Sequence, residues 1–212
     1  YVHRAFVGVW SGSYDQLSFA HPQLYAVWLD ALRSFGIPAR LGVELAWVAS
    51  AVYLARALRR FTGVALIGLP VAAFLLFHPY TILIFDRTLA ETMLLVIVTA
   101  CLGAGLDAWA LRGGGRRWLL AVAGFSVLFA LAYHWRKEGI ALLAALAALA
   151  VLTVFARKRW WSLRGCASSC GAVMFAWPLV ATLALGVALS TSNLVKCGNF
   201  TLFEVGSSRY SA

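Results

Sequence analysis

Residues 139–156 read GIALLAALAALAVLTVFA, a run with no charged residue and an apolar side chain on every face of a helix. A helix at the surface of a water-soluble domain keeps one polar side, so this stretch reads as a lipid-embedded helix. A membrane-crossing helix needs about 20 mainly apolar residues, within a range of about 17–25. Working outward, five more stretches meet that requirement: Leu41–Leu58, Phe61–His78, Leu89–Leu111, Trp118–Trp135 and Cys166–Leu189. The small residues in the fifth and sixth spans, Gly139–Ala156 and Cys166–Leu189, suit close helix contact.

The composition agrees. The 212 residues are 62% hydrophobic and 12% charged, with a mean hydropathy of +0.83. Soluble domains run at about 45–50% apolar and about 25% charged. A chain this apolar cannot cover its own core, and for the same reason it cannot be disordered. The net charge of +10 suits either nucleic acid or a membrane surface, and its distribution along the chain selects the membrane. Arg56, Arg59 and Arg60 follow the first span, and Arg112, Arg116 and Arg117 follow the third. Arg157, Lys158, Arg159 and Arg164 follow the fifth, beside Trp160 and Trp161. By the positive-inside rule these three loops are cytoplasmic. The fold expected is an all-α integral membrane protein of about six transmembrane helices.

Three regions follow from this topology. Residues 1–40 form an extracytoplasmic loop, 41–189 the transmembrane core, and 190–212 the start of another extracytoplasmic loop. In the first region Leu24, Val27, Trp28, Ala31, Leu32 and Phe35 recur at helical spacing, with Pro22 suited to a start and Gly36 and Pro38 to a stop. This predicts an amphipathic helix lying at the outer interface. It either anchors the loop or walls a site for lipid headgroups. Tyr1 has no initiator Met, signal peptide or span before it, so the chain reads as an internal piece of a longer protein.

Seven of the eight acids fall on or near the outer side under this topology; only Asp107 falls inside. Charges at membrane depth are costly and default to function. Three clusters stand out. In FDRTLAE, Asp86, Arg87 and Glu91 open the third span, where the helix dipole also favours acids. In YHWRKEGI, Arg136 and Lys137 occupy the tightest outer turn against the orientation rule. An anionic ligand such as a lipid phosphate supplies a cause, with Glu138 either holding Arg136 or neutralising it. The third cluster is His21, His78 and His134, each at the outer interface, where packing competes with a ligand role. Cys101, Cys166, Cys170 and Cys197 make no disulfide framework or metal set, and no Walker, dinucleotide, HExxH or Ser/His/Asp signature is present.

These segments, taken in order, resemble the GT-C class of membrane glycosyltransferases, which draw a sugar from a polyprenyl-phosphate carrier and include protein mannosyltransferases and the aminoarabinose transferases of lipid A. AHPQLYAVWLDALRSFG (20–36) is similar to that class's HPP-like segment and interfacial helix, with Gln23 in place of the second Pro. LARALRR (54–60) is similar to its basic span end. FHPYTILIFDRTLAETMLL (77–95) matches its order of Pro, apolar stretch and acid, and WRKEG (135–139) its Arg-x-Glu junction. NLVKCGNFTLFEVG (193–206) is similar to the loop after its shared core.

The resemblance implies inverting sugar transfer at the extracytoplasmic face of the plasma (inner) membrane. The donor is a polyprenyl-phosphate sugar and the acceptor a hydroxyl on a lipid, glycan or protein, with no nucleic-acid partner. Arg136, Lys137 and Glu138 are the expected phosphate and substrate-binding residues, together with Arg87 and His21. Asp86 and Glu91 are the supporting acids; a divalent cation is possible and not implied. The class's main catalytic Asp belongs to an acidic pair that would lie upstream of Tyr1. A polytopic transporter, a lipid flippase or a non-enzymatic assembly protein also fits acids and Arg at membrane depth. Sequencing the source DNA upstream of Tyr1 should reveal an apolar span of about 20 residues followed at once by an Asp-Glu or Asp-Asp pair.

Overall fold

In a computed structural model, the protein is described over residues 23–79, 81, 90–111, 115–135, 139–160 and 168–197. Among the described residues the secondary structure is helical throughout. In chain order the helices are α1 (Gln23–Ser34), α2 (Ala39–Thr62), α3 (Gly68–Phe77), α4 (Ala90–Ala110), α5 (Arg116–Trp135), α6 (Ile140–Trp160) and α7 (Ser168–Cys197). Four helical segments are long and apolar enough to cross a membrane: Ala39–Thr62, Ala90–Ala110, Arg116–Trp135 and Val173–Ser192. Their outward faces carry exposed Leu45, Leu102, Leu120, Val127 and Leu183, as lipid-facing surfaces do.

Helix α1 ends where the sequence predicts. Gly36 adopts a left-handed φ of 66°, its N–H bonds Arg33 O at 2.9 Å, and the Ile37 N–H bonds Leu32 O at 2.9 Å. This is a Schellman stop, which only a residue without a Cβ enters at no steric cost. Tyr25 and Ala26 are buried, and the Leu32 side chain fills the space that Gly42 leaves open. The expected stripe is only partly the packed face. Leu24, Val27, Trp28 and Leu32 are half-buried, whereas Phe35 is 79% exposed.

Helices α2 and α4 run parallel. At one end Val43 and Trp47 share a core with Ala90, Met93 and Val96. Further along, Gly103 meets Tyr53 and the backbone of Leu54, and at the far end Arg60 pairs with Asp107. The chain must therefore return through the thickness of the bundle between Thr62 and Ala90. Here the observed helices differ from the expected continuous span Phe61–His78. Gly63 (φ 74°) closes α2 with its N–H on Arg59 O, and the helix resumes only at Gly68. Helix α3 has 10 residues, about 15 Å at 1.5 Å per residue, half of a hydrocarbon core of about 30 Å. It lies antiparallel against α2. A Cβ on Gly68 would stand 2.6 Å from the Ala55 carbonyl oxygen, and the Leu75 carbonyl accepts the Trp47 indole N–H at 3.3 Å. Leu75 lies in the last turn of α3, where carbonyls have no partner within the helix.

Helix α5 returns antiparallel to α4, with Trp118 beside Ala108, Phe125 on Gly105 and Phe129 in a cluster with Cys101. Between α5 and α6, Gly139 sits so close to the Tyr133 carbonyl that no Cβ fits. Leu146 of α6 joins Phe125 and Phe129. Helix α7 packs along α5. Met174 meets Trp118 and Val122 at the arginine-bearing end, and Pro178 lies fully buried inside the helix. The helix continues to Cys197, so residues 190–197 are helical where a loop was expected.

The ends of the bundle are unlike. The end carrying α1 holds buried aromatics with exposed Arg33, Arg40 and Glu91 around them, and the opposite end exposes Arg56, Arg59, Arg60, Arg116 and Arg117. Asp107 is 4% exposed; Arg60 Nη1 donates to its Oδ2 at 2.9 Å, and the buried Oδ1 accepts no hydrogen bond among the described residues. Breaking a buried pair from one side costs about 3–5 kcal/mol because an uncompensated charge remains. Arg60 is half-exposed, so Arg60→Gln should cost about 2–3 kcal/mol. Adding Asp107→Asn should recover most of that loss, as thermal unfolding of the two variants in detergent would record.

Candidate functional site

Three aromatic side chains gather at the α1 end. The Trp135 indole, at the last turn of α5, donates its N–H to the carbonyl of Ala90 at 3.0 Å. Tyr25 of α1 meets the same indole edge-on, with ring centroids 6.0 Å apart, and stacks on Trp28 at 6.0 Å. Trp135 and Tyr25 are 4% and 3% exposed. A buried indole or phenol usually finds a partner for its polar atom, and here the partner is the start of another helix. One side chain thus joins α1, α4 and α5.

Below this junction lies an open groove of about 650 Å³ between α1, α2, α4 and α5, within the usual size of a small-ligand site. Leu24, Val27, Trp28 and Ala31 wall it from α1. Each remaining helix contributes one stretch: Ala46 to Tyr53 from α2, Met93 to Ala100 from α4, and Leu128 to Trp135 from α5. Each of these stretches rises about 10 Å, so the groove runs from the aromatic junction to Tyr53. Its lining is almost wholly apolar. Such a surface takes a hydrocarbon chain and offers a sugar nothing to bond.

On the other side of α5 the His134 ring is buried at 2% exposure. Its Nε2 lies 2.9 Å from the Thr182 carbonyl, so Nε2 carries the proton that is donated. The buried Nδ1 makes no hydrogen bond among the described residues. Thr182 in turn donates Oγ1–H to the Pro178 carbonyl at 2.7 Å. This chain of bonds ties α7 to the end of α5, the packing role foreseen as one alternative for His134.

Of the site residues expected from sequence, Glu91 is described; it stands exposed in the first turn of α4. His21, Asp86, Arg87, Arg136, Lys137 and Glu138 lie outside the described residues. Each of the seven is nevertheless within four residues, along the chain, of Tyr25, Ala90 or Trp135. Of those three, Trp135 touches both of the others. Among the described residues no group of three or more His, Cys, Asp or Glu is placed to hold a metal. Sequence reasoning did not single out Trp135 and Tyr25 as the residues that join the clusters. The available signal was a Trp closing a span directly before a charged turn, the position of an interface aromatic.

No protein-family model, curated protein or solved structure matches the chain.

The aromatic junction can be tested without knowing the ligand. Trp135→Phe removes the N–H together with part of the bicyclic ring, and should cost about 1–3 kcal/mol for the interhelical hydrogen bond and the small cavity left. Trp135→Ala also empties a large buried volume and should cost about 3–5 kcal/mol. Thermal unfolding of the detergent-solubilised variants measures both, and a Trp135→Phe variant as stable as the wild type would show that the hydrogen bond carries no share.

Proposed function

We propose that this protein is a polytopic membrane glycosyltransferase that moves a sugar from a polyprenyl-phosphate carrier to an acceptor hydroxyl at the extracytoplasmic face. The observation that carries this proposal is the junction of Tyr25, Ala90 and Trp135. It joins the three chain segments bearing the candidate residues directly above an apolar groove. A prenyl carrier has two unlike parts, a long hydrocarbon and an anionic head. An apolar groove followed in sequence by Arg136 and Lys137 answers both.

In this scheme the chain crosses the membrane six times, with residues 63–89 and α6 supplying the two crossings beyond the four long apolar helices, and α1 lies at the interface. The prenyl tail lies along the groove. Arg136 binds the carrier phosphate, bidentately as guanidinium allows, and Lys137 adds a second cation. Glu138 orients Arg136. The acceptor oxygen attacks the anomeric carbon as the bond to the phosphate oxygen breaks, inverting the centre. A carboxylate from upstream of Tyr1 takes the hydroxyl proton. The positive charges stabilise the negative charge that develops on the leaving phosphate. Asp86 and Glu91 orient the sugar or acceptor, and Arg87 and His21 line the headgroup side.

One observation favours a second reading. The interruption at Gly63–Ile67 and the short helix Gly68–Phe77 form a broken element, a feature of transporters and flippases. Proteoliposomes separate the two, because a transporter accumulates substrate without forming a new glycosidic bond.

Arg136→Ala should lower transfer from a polyprenyl-phosphate sugar at least about 100-fold, the scale on which removing one donor to a developing anion acts. Membrane insertion and thermal stability should stay at wild-type levels. Radiolabelled sugar transfer in membranes carrying the full-length protein reads this directly, and undiminished turnover would remove the phosphate role from Arg136.

A further inference from the structure

The groove has a defined far end. Its last α2 residue is Tyr53 and its last α4 residue is Ala100. The Tyr53 ring is seated against α4 at Gly103, where a Cβ would come 3.0 Å from ring Cδ1. Gly103 is buried in the packed α2–α4 face, so the absence of a side chain there is what lets the ring close the space between the helices. Beyond the ring, the Tyr53 hydroxyl lies beside Asp107, whose carboxylate holds Arg60 at 2.9 Å. A hydrocarbon chain advancing along the groove therefore meets an aromatic ring and then a charged pair, and burying apolar chain against an ion pair would displace the contacts those charges need.

We propose that Tyr53 is the floor of the groove and a specificity-determining residue, confining recognition to the head-proximal part of one polyprenyl chain. This rests on the glycosyltransferase reading given above. The usable length follows from the helix rise. The seven residue steps from Ala46 to Tyr53 span about 10 Å. A saturated or allylic chain advances about 3.3–3.6 Å for every three bonds, as a peptide backbone does, so the four main-chain bonds of an isoprene unit cover about 4.5 Å. The groove takes the first two units and the start of a third, and the rest of the carrier leaves through the open side into lipid. A single chain with an anionic head answers the one short apolar lining and the cations that follow Trp135 in sequence; a two-chain phospholipid would leave its second chain outside it.

The experiment is direct binding of sugar-free polyprenyl monophosphates of two, three, four and eleven isoprene units to the full-length protein in detergent, read by native mass spectrometry. Phosphatidic acid serves as the two-chain competitor. In the wild type, affinity should rise to three units and then stay level to within about twofold. Each buried methylene is worth several-fold in affinity, so a further unit entering the groove would be plainly visible. Tyr53→Ala should extend the rise to four units, gaining about threefold or more there. Ala100→Phe should act in the opposite direction and end the rise at two. Tyr53→Phe retains the ring and should leave the profile unchanged.

Affinity that climbs evenly to eleven units in the wild type overturns the proposal. So does a profile that neither Tyr53→Ala nor Ala100→Phe shifts, a profile that Tyr53→Phe does shift, or displacement by phosphatidic acid at equal concentration. Those results leave glycosyl transfer standing. Failure of the folded protein to bind polyprenyl phosphate of any length removes both.

Discussion

The hydrogen bond from the Trp135 indole to the Ala90 carbonyl is the interaction on which the candidate site depends. The buried indole N–H has no water to bond, and the Ala90 carbonyl, at the start of α4, offers it a free lone pair. Their meeting brings the end of α5 to the start of α4, residues 45 apart in sequence, and gives Tyr25 a ring to pack on. Trp47 does the same for α3 through Leu75. Of the two, the Leu75 carbonyl lies in the last turn of its helix, where carbonyls have no partner within the helix.

The second constraint is the parallel pairing of α2 with α4. Parallel neighbours cannot be joined by a short loop, so the chain between them has to climb back through the bundle. Within this stretch the short helix Gly68–Phe77 lies against α2, admitted by Gly68 at the Ala55 carbonyl. The pairing is held at one end by apolar packing of Val43 and Trp47 and at the other by the Arg60–Asp107 contact. Between them the α2–α4 interface opens on the α1 side into the apolar groove, which Tyr53 ends by resting on Gly103. The site and the packing therefore share their residues. A side chain that holds the helices in register also shapes the space beside them.

Much of the fold was legible in the residues. Apolar runs long enough for a bilayer mark Ala39–Thr62, Ala90–Ala110 and Arg116–Trp135 within a few residues of their observed limits, and mark the apolar segment of the last helix, Ser168–Cys197, without its end. The Gly36 stop of α1 follows from glycine's freedom at positive φ. Hydropathy reads composition and is blind to a turn inside an apolar run, so the break at Gly63–Ile67 was hidden. The helical continuation from Ser190 to Cys197 was hidden in the same way, because polar residues at a span's end suit a loop and a projecting helix equally. The charged clusters were legible one by one; the contacts of Trp135 with Tyr25 and Ala90 were not.

The sequence by itself determined that this chain is helical and suited to a membrane, because too few polar residues exist to cover an apolar core. It also determined the arginine-rich end, because charge position along the chain survives any packing. Only the tertiary structure decided that α2 and α4 run parallel, that Asp107 is buried against Arg60, and that Tyr25, Ala90 and Trp135 meet above one groove. These contacts join residues far apart in sequence. They are selected by the fit of side chains between helices, which no local pattern of hydrophobicity encodes.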